Sequence, residues 1–323
     1  MREQIFSLEE RVNQLVIGQP DVIRNLIIAM LCKGNVLLEG LPGLAKTRAI
    51  KALSQQVDSE FQRIQFTPDL LPSDVTGTEI YLGEKSTHSS GFEFRKGPLF
   101  GNLILVDEIN RAPAKAQAAL LEAMEERQVT VAGKTYSLPK LFMTLATQNP
   151  VEQEGTYPLP EAQLDRFLLK ICVGYLSKDD EKLMLSLLRD EQAETTSERS
   201  VTTLTSQEVF FSAWGEIAQV HVSDAIEQLI VDIIDGTRYP NQYCDKLASY
   251  VLVGASPRGS IALQHTARAH AWLAGRNFVT PDDVGAMVKP VLGHRLKLSY
   301  KALAAGVTAP DVIDELLSHI VMS

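Results

Sequence analysis

Cysteine is scarce in this chain: Cys32, Cys172 and Cys244 stand far apart and form no CxxC pair. That spacing excludes a disulfide framework or a zinc knuckle and suits small thiols in a reducing compartment. Long apolar runs are missing too; a stretch such as residues 26–32 is far too short to cross a bilayer. The opening residues Met1-Arg2-Glu3-Gln4-Ile5-Phe6-Ser7 lack the apolar core of a signal peptide. The expected location is therefore cytoplasmic, with no membrane partner. Positive charge is in deficit, with 31 Lys and Arg against 40 Asp and Glu and a net charge of −9. This disfavours nucleic acid as a partner bound by bulk electrostatics, while leaving room for a local basic groove. The six histidines show no spacing such as HExxH, so they read as core or solvated imidazoles and not as metal ligands. No repeat or low-complexity tract is present.

What is there is an ordinary globular composition, 45% hydrophobic and 22% charged, in 323 residues. That length predicts two domains and a core large enough to need no staple. Ser7 with Glu10 forms a capping-box pattern, and Pro20 opens a second helix ending before Gly34. Short apolar runs at 36–38, 61–66, 103–106, 141–146 and 167–173 read as strands, with helical stretches at 46–56 and 114–126 between them. Strands alternating with helices predict a mainly parallel sheet covered on both faces. Beyond Gly174 the pattern changes. Ser177 caps an acidic first turn, helical segments follow near 206–220, 223–235, 257–274 and 281–288, and no convincing strand is seen. An α/β domain over 1–175 followed by an all-helical domain over 176–323 is the expected division.

The strongest motif is Val36-Leu37-Leu38-Glu39 followed by Gly40-Leu41-Pro42-Gly43-Leu44-Ala45-Lys46-Thr47 and a helix. Strand, glycine-rich turn, Lys-Thr and helix make the P-loop layout. Gly40 and Gly43 let backbone N–H groups line an anion-sized concavity, and the helix adds its positive end. Lys46 suits the β- and γ-phosphates, and the Thr47 hydroxyl suits Mg²⁺. Ala45 stands where a glycine is usual, which is tolerable where the backbone there is helical. The plain alternative is a glycine-bearing turn that happens to carry Lys-Thr.

The run Leu103-Ile104-Leu105-Val106-Asp107-Glu108 is an apolar strand ending in two acids. In P-loop enzymes the strand beside the phosphate loop delivers such an aspartate to Mg²⁺. Asp107 is the metal candidate, and Glu108 is placed to polarise an attacking water. Alone, this pair reads equally well as a solvated acidic turn; the upstream phosphate loop gives it weight.

Asp107-Glu108-Ile109-Asn110-Arg111-Ala112-Pro113, joined to residues 40–47, resembles the MoxR family of AAA+ ATPases, whose loop often carries the same alanine. Leu145-Ala146-Thr147-Gln148-Asn149-Pro150 resembles the sensor 1 strand, which implies that Asn149 positions the lytic water. The segment from Leu159 to Phe167 resembles the one bearing an arginine finger. This gives Arg166 that role toward a neighbouring subunit, with Arg111 in reserve. Gly254-Ala255-Ser256-Pro257-Arg258-Gly259 resembles the sensor 2 helix start, and Arg258 is expected to reach its own subunit's γ-phosphate. The alternative for either arginine is a structural pair with a carboxylate, Asp165 being adjacent to Arg166. Patterns at 78–82 with 92–95, and at 128–131 with 135–138, read as two hairpins. They resemble the helix 2 insert and the hairpin before sensor 1, which face the pore in family rings.

The resemblance covers nearly the whole chain. It implies a P-loop NTPase (AAA+) three-layer sandwich with a C-terminal all-helical lid. It also implies Mg²⁺-dependent ATP hydrolysis in a homo-oligomer expected to be a hexamer, acting as a chaperone-like remodeller of partner protein complexes. A protein client, often beside a von Willebrand factor A domain partner, is the implied target. A helicase-like motor and an ATP-gated scaffold are the competing classes.

Overall fold

The computed structural model describes residues 1–40, 46–81, 92–149, 155–193 and 204–320. Five parallel strands form the central sheet: β1 (Val36–Gly40), β2 (Phe61–Gln65), β5 (Leu103–Asp107), β8 (Met143–Gln148) and β9 (Leu169–Val173), in the order β2-β5-β8-β1-β9. Each of the five apolar runs in the sequence overlaps one of them. Successive side chains of a strand point to opposite faces, and here both faces are apolar. Val36, Leu38, Leu103, Leu105, Met143 and Leu145 enter one core cluster. Their neighbours Leu37, Ile104, Val106 and Ala146 enter a second one across the sheet. That double burial is what makes three layers.

The first face is covered by α1 (Arg2–Leu15), α2 (Pro20–Leu31) and α3 (Lys46–Ser54). The second is covered by α4 (Pro72–Thr76) and α5 (Ala114–Glu126). Pro20 opens α2 as the sequence predicts. The expected Ser7 cap is corrected: α1 already begins at Arg2, and Ser7 lies within it, accepting a hydrogen bond from Arg11 Nη1 at 2.8 Å. A capping pattern inside a longer amphipathic stretch is outweighed by apolar residues such as Ile5 that continue the buried face.

Two antiparallel hairpins project from this base: β3 (Gly77–Tyr81) with β4 (Phe92–Lys96), and β6 (Gln128–Val131) with β7 (Lys134–Ser137). Phe94 of the first stacks on Tyr136 of the second with ring centroids 4.2 Å apart. The tip of the first hairpin lies outside the described residues.

After β9 the described chain is mostly helical: α7 (Lys178–Ala193), α8 (Gln207–Ala218), α9 (Asp224–Arg238), α10 (Asp245–Tyr250), α11 (Pro257–Leu273), α12 (Pro281–Leu292), α13 (Tyr300–Ala304) and α14 (Ala309–His319). A four-residue helix, α6 (Glu161–Leu164), precedes β9. Ser177 caps α7 as expected, its Oγ accepting from Asp180 N at 3.1 Å. The expectation of no strand here is corrected by the short antiparallel pair β10 (Val251–Val253) and β11 (Lys297–Leu298). Three- and two-residue strands carry too few residues to show a period in sequence. Inside this region Asp283 is completely buried, held by Arg276, His270 and Thr280. It therefore ties α11, the loop after it and the start of α12 together. No described helix is long and apolar enough to cross a membrane.

The two halves share one core. Phe210, Leu263 and Trp272 from the helical part lie in the same cluster as Leu8, Leu26, Val36 and Leu169. Trp272 is fully buried, whereas Trp214 is half-buried and donates from Nε1 to Met30 O at 3.0 Å.

Candidate active site

All five strands run in one direction, so the sheet has a carboxyl edge and an amino edge with different chemistry. The carboxyl edge holds the end of β1 at Gly40, the end of β5 at Asp107, and Gln148 with Asn149 at the end of β8. Residues Leu41, Pro42, Gly43, Leu44 and Ala45 lie outside the described residues, as does Pro150. Gly40 has a second reason to be glycine. A Cβ there would sit 2.7 Å from the carbonyl oxygen of Val173, so the closeness of β1 and β9 forbids a side chain. Lys46 and Thr47 open α3, half-buried, at this edge. Lys46 Nζ donates to Gly40 O and, at 3.4 Å, to Gln148 O. The ammonium is thus turned onto carbonyls of the two strands beside the loop, where phosphate oxygens would compete for it.

Asp107 is buried and tightly held. Arg63 of β2 reaches its Oδ2 from Nε at 2.7 Å and from Nη2 at 2.6 Å, and Thr147 Oγ1 donates to Oδ1 at 3.3 Å. Glu108 follows in the left-handed region, with φ 58° and ψ 52°. Such a backbone costs a non-glycine residue on the order of 1 kcal/mol. Its N–H donates to Thr147 Oγ1 at 3.0 Å, while its carboxylate accepts from Gln65 Nε2 at 2.9 Å and pairs with Arg111 at 3.2 Å. The tight bend turns Glu108 out of the strand while Asp107 stays in line with it. One threonine hydroxyl therefore braces both acids. Asn149 is buried two residues beyond Thr147. Arg111, the reserve finger, stands on this same edge beside its own subunit's glutamate.

The donors gathered here fit a magnesium ion. A carboxylate that Arg63 and Thr147 engage as hydrogen-bond acceptor and a threonine hydroxyl are hard oxygen ligands, the type Mg²⁺ selects. Asp107 and Thr47 would hold it.

The amino edge gathers the arginines. Arg166 lies three residues before β9, and its Nε is 2.9 Å from Glu125 Oε2. Arg258, in the first turn of α11, pairs through Nη2 with the other oxygen of the same glutamate. Glu125 is near the end of α5, whose C-cap Arg127 donates to Lys33 O just ahead of β1. Both arginines thus sit beyond the start of the sheet, while the phosphate loop follows its end. The five residues of β1 alone separate the two edges by roughly 15 Å. Arg258 therefore does not reach its own subunit's phosphate site in this arrangement, and that expectation is corrected. The alternative of a pair with a carboxylate does form for both arginines, with Glu125 and not with the adjacent Asp165.

Asp165 is instead the joint between base and lid. It accepts from Ser256 Oγ at 2.7 Å and from Arg295 Nε at 2.9 Å. Arg295, almost wholly buried, also donates to the carbonyls of Phe167 at 2.7 Å and Leu168 at 3.2 Å. His294 Nε2 adds a bond to Phe167 O at 3.0 Å. Burial, helped by the neighbouring Arg295 charge, pushes the His294 pKa well below the usual imidazole range, so the ring is neutral. Arg127, Arg166, Arg258 and Arg295 line a common cavity of about 280 Å³ with Glu125.

Sequence reasoning missed Arg63, Glu125, Thr147 and Arg295. Thr147 had a signal, lying two residues before Asn149 on an alternating strand. The other three are brought in by tertiary packing, and no local pattern marks them. In the lid, Cys244, Glu315 and His319 bring ligand atoms within 4.8 Å of one another. Lys246 Nζ stands 3.1 Å from Glu315, however, and satisfies that carboxylate as an ion pair.

A parallel sheet in this strand order, with a Lys-Thr helix after β1, an acid pair on the next strand but one and a helical lid, defines a P-loop ATPase of the AAA+ class. The comparisons agree. Residues 35–169 match the ATPase family associated with various cellular activities (AAA), and 247–316 match the AAA lid domain. Chaperone MoxR1 of Mycobacterium tuberculosis is 41% identical over 99% of this chain and 83% of its own. The uncharacterized YeaC protein of Bacillus subtilis strain 168 is 44% identical over 96% and 92%. An ATPase candidate from Cytophaga hutchinsonii, known from a crystal structure, superposes with a TM-score of 0.90 at 43% identity, covering 100% of this chain and 96% of that one. The chain belongs to the MoxR family of AAA+ ATPases.

Proposed function

We propose that the protein hydrolyses ATP with Mg²⁺ at sites shared between neighbouring subunits of a ring, and uses that hydrolysis to remodel a partner protein. The observation that carries this reading is the split of the site between the two edges. Lys46, Thr47, Asp107, Glu108 and Asn149 belong to the carboxyl edge, and Arg166 with Arg258 to the amino edge. In a lone subunit Arg166 and Arg258 stand at the far edge from its own phosphate loop. Stacking the amino edge of one subunit on the carboxyl edge of the next supplies the finger, and a head-to-tail contact of that kind closes into a ring. Once bound, Mg²⁺ neutralises charge on the phosphate oxygens. Lys46 anchors them, Glu108 orients the attacking water with Asn149, and the neighbour's arginines stabilise the charge of the transferring group.

The chaperone name of the Mycobacterium relative supports a protein client, as does the acidic net charge. The test is complementation. Arg166→Ala and Lys46→Ala should each be inactive, and mixing them should restore part of the activity because each donates the intact edge the other lacks. No recovery at any mixing ratio would refute the shared site. Capture with ATP-loaded Glu108→Gln then reports the client; recovery of nucleic acid in place of protein would refute the remodelling role.

A further inference from the structure

The carboxylate between the two arginines has no part in the reading above. Glu125 spends each oxygen on a different guanidinium, Oε2 on Arg166 and Oε1 on Arg258. Without it, two cations would face each other in a cavity that already contains Arg127 and Arg295. Arg295 is committed to Asp165 and to the carbonyls of Phe167 and Leu168 just after the finger, and Arg127 to Lys33 O, so neither competes for Glu125. The arrangement is that of two arginines closing on a single anion carrying divergent oxygens, which is also how they would close on a terminal phosphate.

We propose that Glu125 is an internal stand-in for the neighbour's γ-phosphate. It holds Arg166 and Arg258 together in the unassembled subunit and gives them up when a nucleotide-loaded carboxyl edge docks. This inference rests on the shared-site reading. Two consequences follow. The pair is preorganised, so docking need not gather two loose side chains. It is also masked, because the incoming phosphate must displace a carboxylate that is only about a third exposed. Glu125 is a positioning residue: it touches no substrate and acts through the arginines it releases.

The experiment measures ATPase rate per subunit against protein concentration for wild type, Glu125→Gln and Glu125→Asp, at saturating ATP. The glutamine keeps the shape and removes the charge. Its half-maximal concentration should fall about twofold to tenfold, the range set by losing two partly exposed ion pairs. Glu125→Asp keeps the competing charge and should stay near wild type, which separates masking from mere packing. An unchanged or raised half-maximal concentration in Glu125→Gln overturns the stand-in role. The Arg166→Ala and Lys46→Ala mixture, run alongside, separates the two failures. Recovery in the mixture with no shift in Glu125→Gln sinks only the stand-in, whereas no recovery sinks the shared site beneath it.

Discussion

The two edges of one sheet are built by opposite means. At the carboxyl edge the working groups come as short sequence runs, residues 40–47, 107–108 and 147–149, each at the end of a buried strand. At the amino edge they come singly from α5, the approach to β9, α11 and the turn after α12: Glu125, Arg166, Arg258 and Arg295. The lesson is about rigidity. Strand ends locked by a ladder fix geometry locally, so a motif suffices. The amino edge is fixed only by base packing on lid, so its geometry is a property of the whole fold and can respond to lid position.

The sharpest way to break this division is Arg166→Ala. It should lower turnover by ~10³ or more yet leave ATP affinity within severalfold. Lys46→Ala should abolish binding itself. Titration calorimetry beside a phosphate-release assay reads both, and loss of ATP binding in Arg166→Ala would erase the distinction between the edges. Asp283→Asn serves as a control inside the lid. Burial alone would raise that carboxyl, but hydrogen bonds from Arg276, His270 and Thr280 outweigh it and hold the pKa at about 2. A depressed folded pKa gives stability that is present above about pH 4 and is lost as pH falls toward 2. The substitution should cost about 3 kcal/mol in urea denaturation and flatten that acid limb, while nucleotide affinity holds.

A smaller effect is expected at the brace of the acids. Thr147→Val keeps the buried strand but cuts both hydroxyl contacts, and turnover should drop ~10- to 100-fold with unchanged assembly. The smallest concerns the joint. His294 is neutral when folded and gains a proton more readily when unfolded. Its stabilising contribution is therefore complete above pH 6.5 and declines as pH falls below that. A urea midpoint that drops between pH 7.5 and 5.5, and drops less in His294→Gln, is the expected result.

These contrasts also explain what was legible in the sequence. The five strands and the two acids at the end of β5 could be read because apolar runs encode them locally. Helix α5 spans the stretch from Ala114 to Glu126 that periodicity marks. The start of α1 was misplaced because a local cap at Ser7 competes with burial of Ile5, and burial wins. Arg258 was assigned to its own subunit because a motif names a residue without saying which edge it faces. Glu125 was invisible: one acid in Glu122-Ala123-Met124-Glu125-Glu126 looks like the next until the lid arrives.

The shared core bears on what counts as a module. The matched ATPase stretch begins at residue 35, after both N-terminal helices. Yet Ile5, Leu8, Val12, Ile23 and Leu26 are fully buried in the same cluster as β1 and the lid, and Arg2 lies over the Trp272 ring at 5.0 Å. The span matched as the ATPase family is thus smaller than the physical unit. A chain trimmed to the matched span would lose the cover of β1 and of the inner wall of the lid, and should aggregate through the apolar surface so exposed.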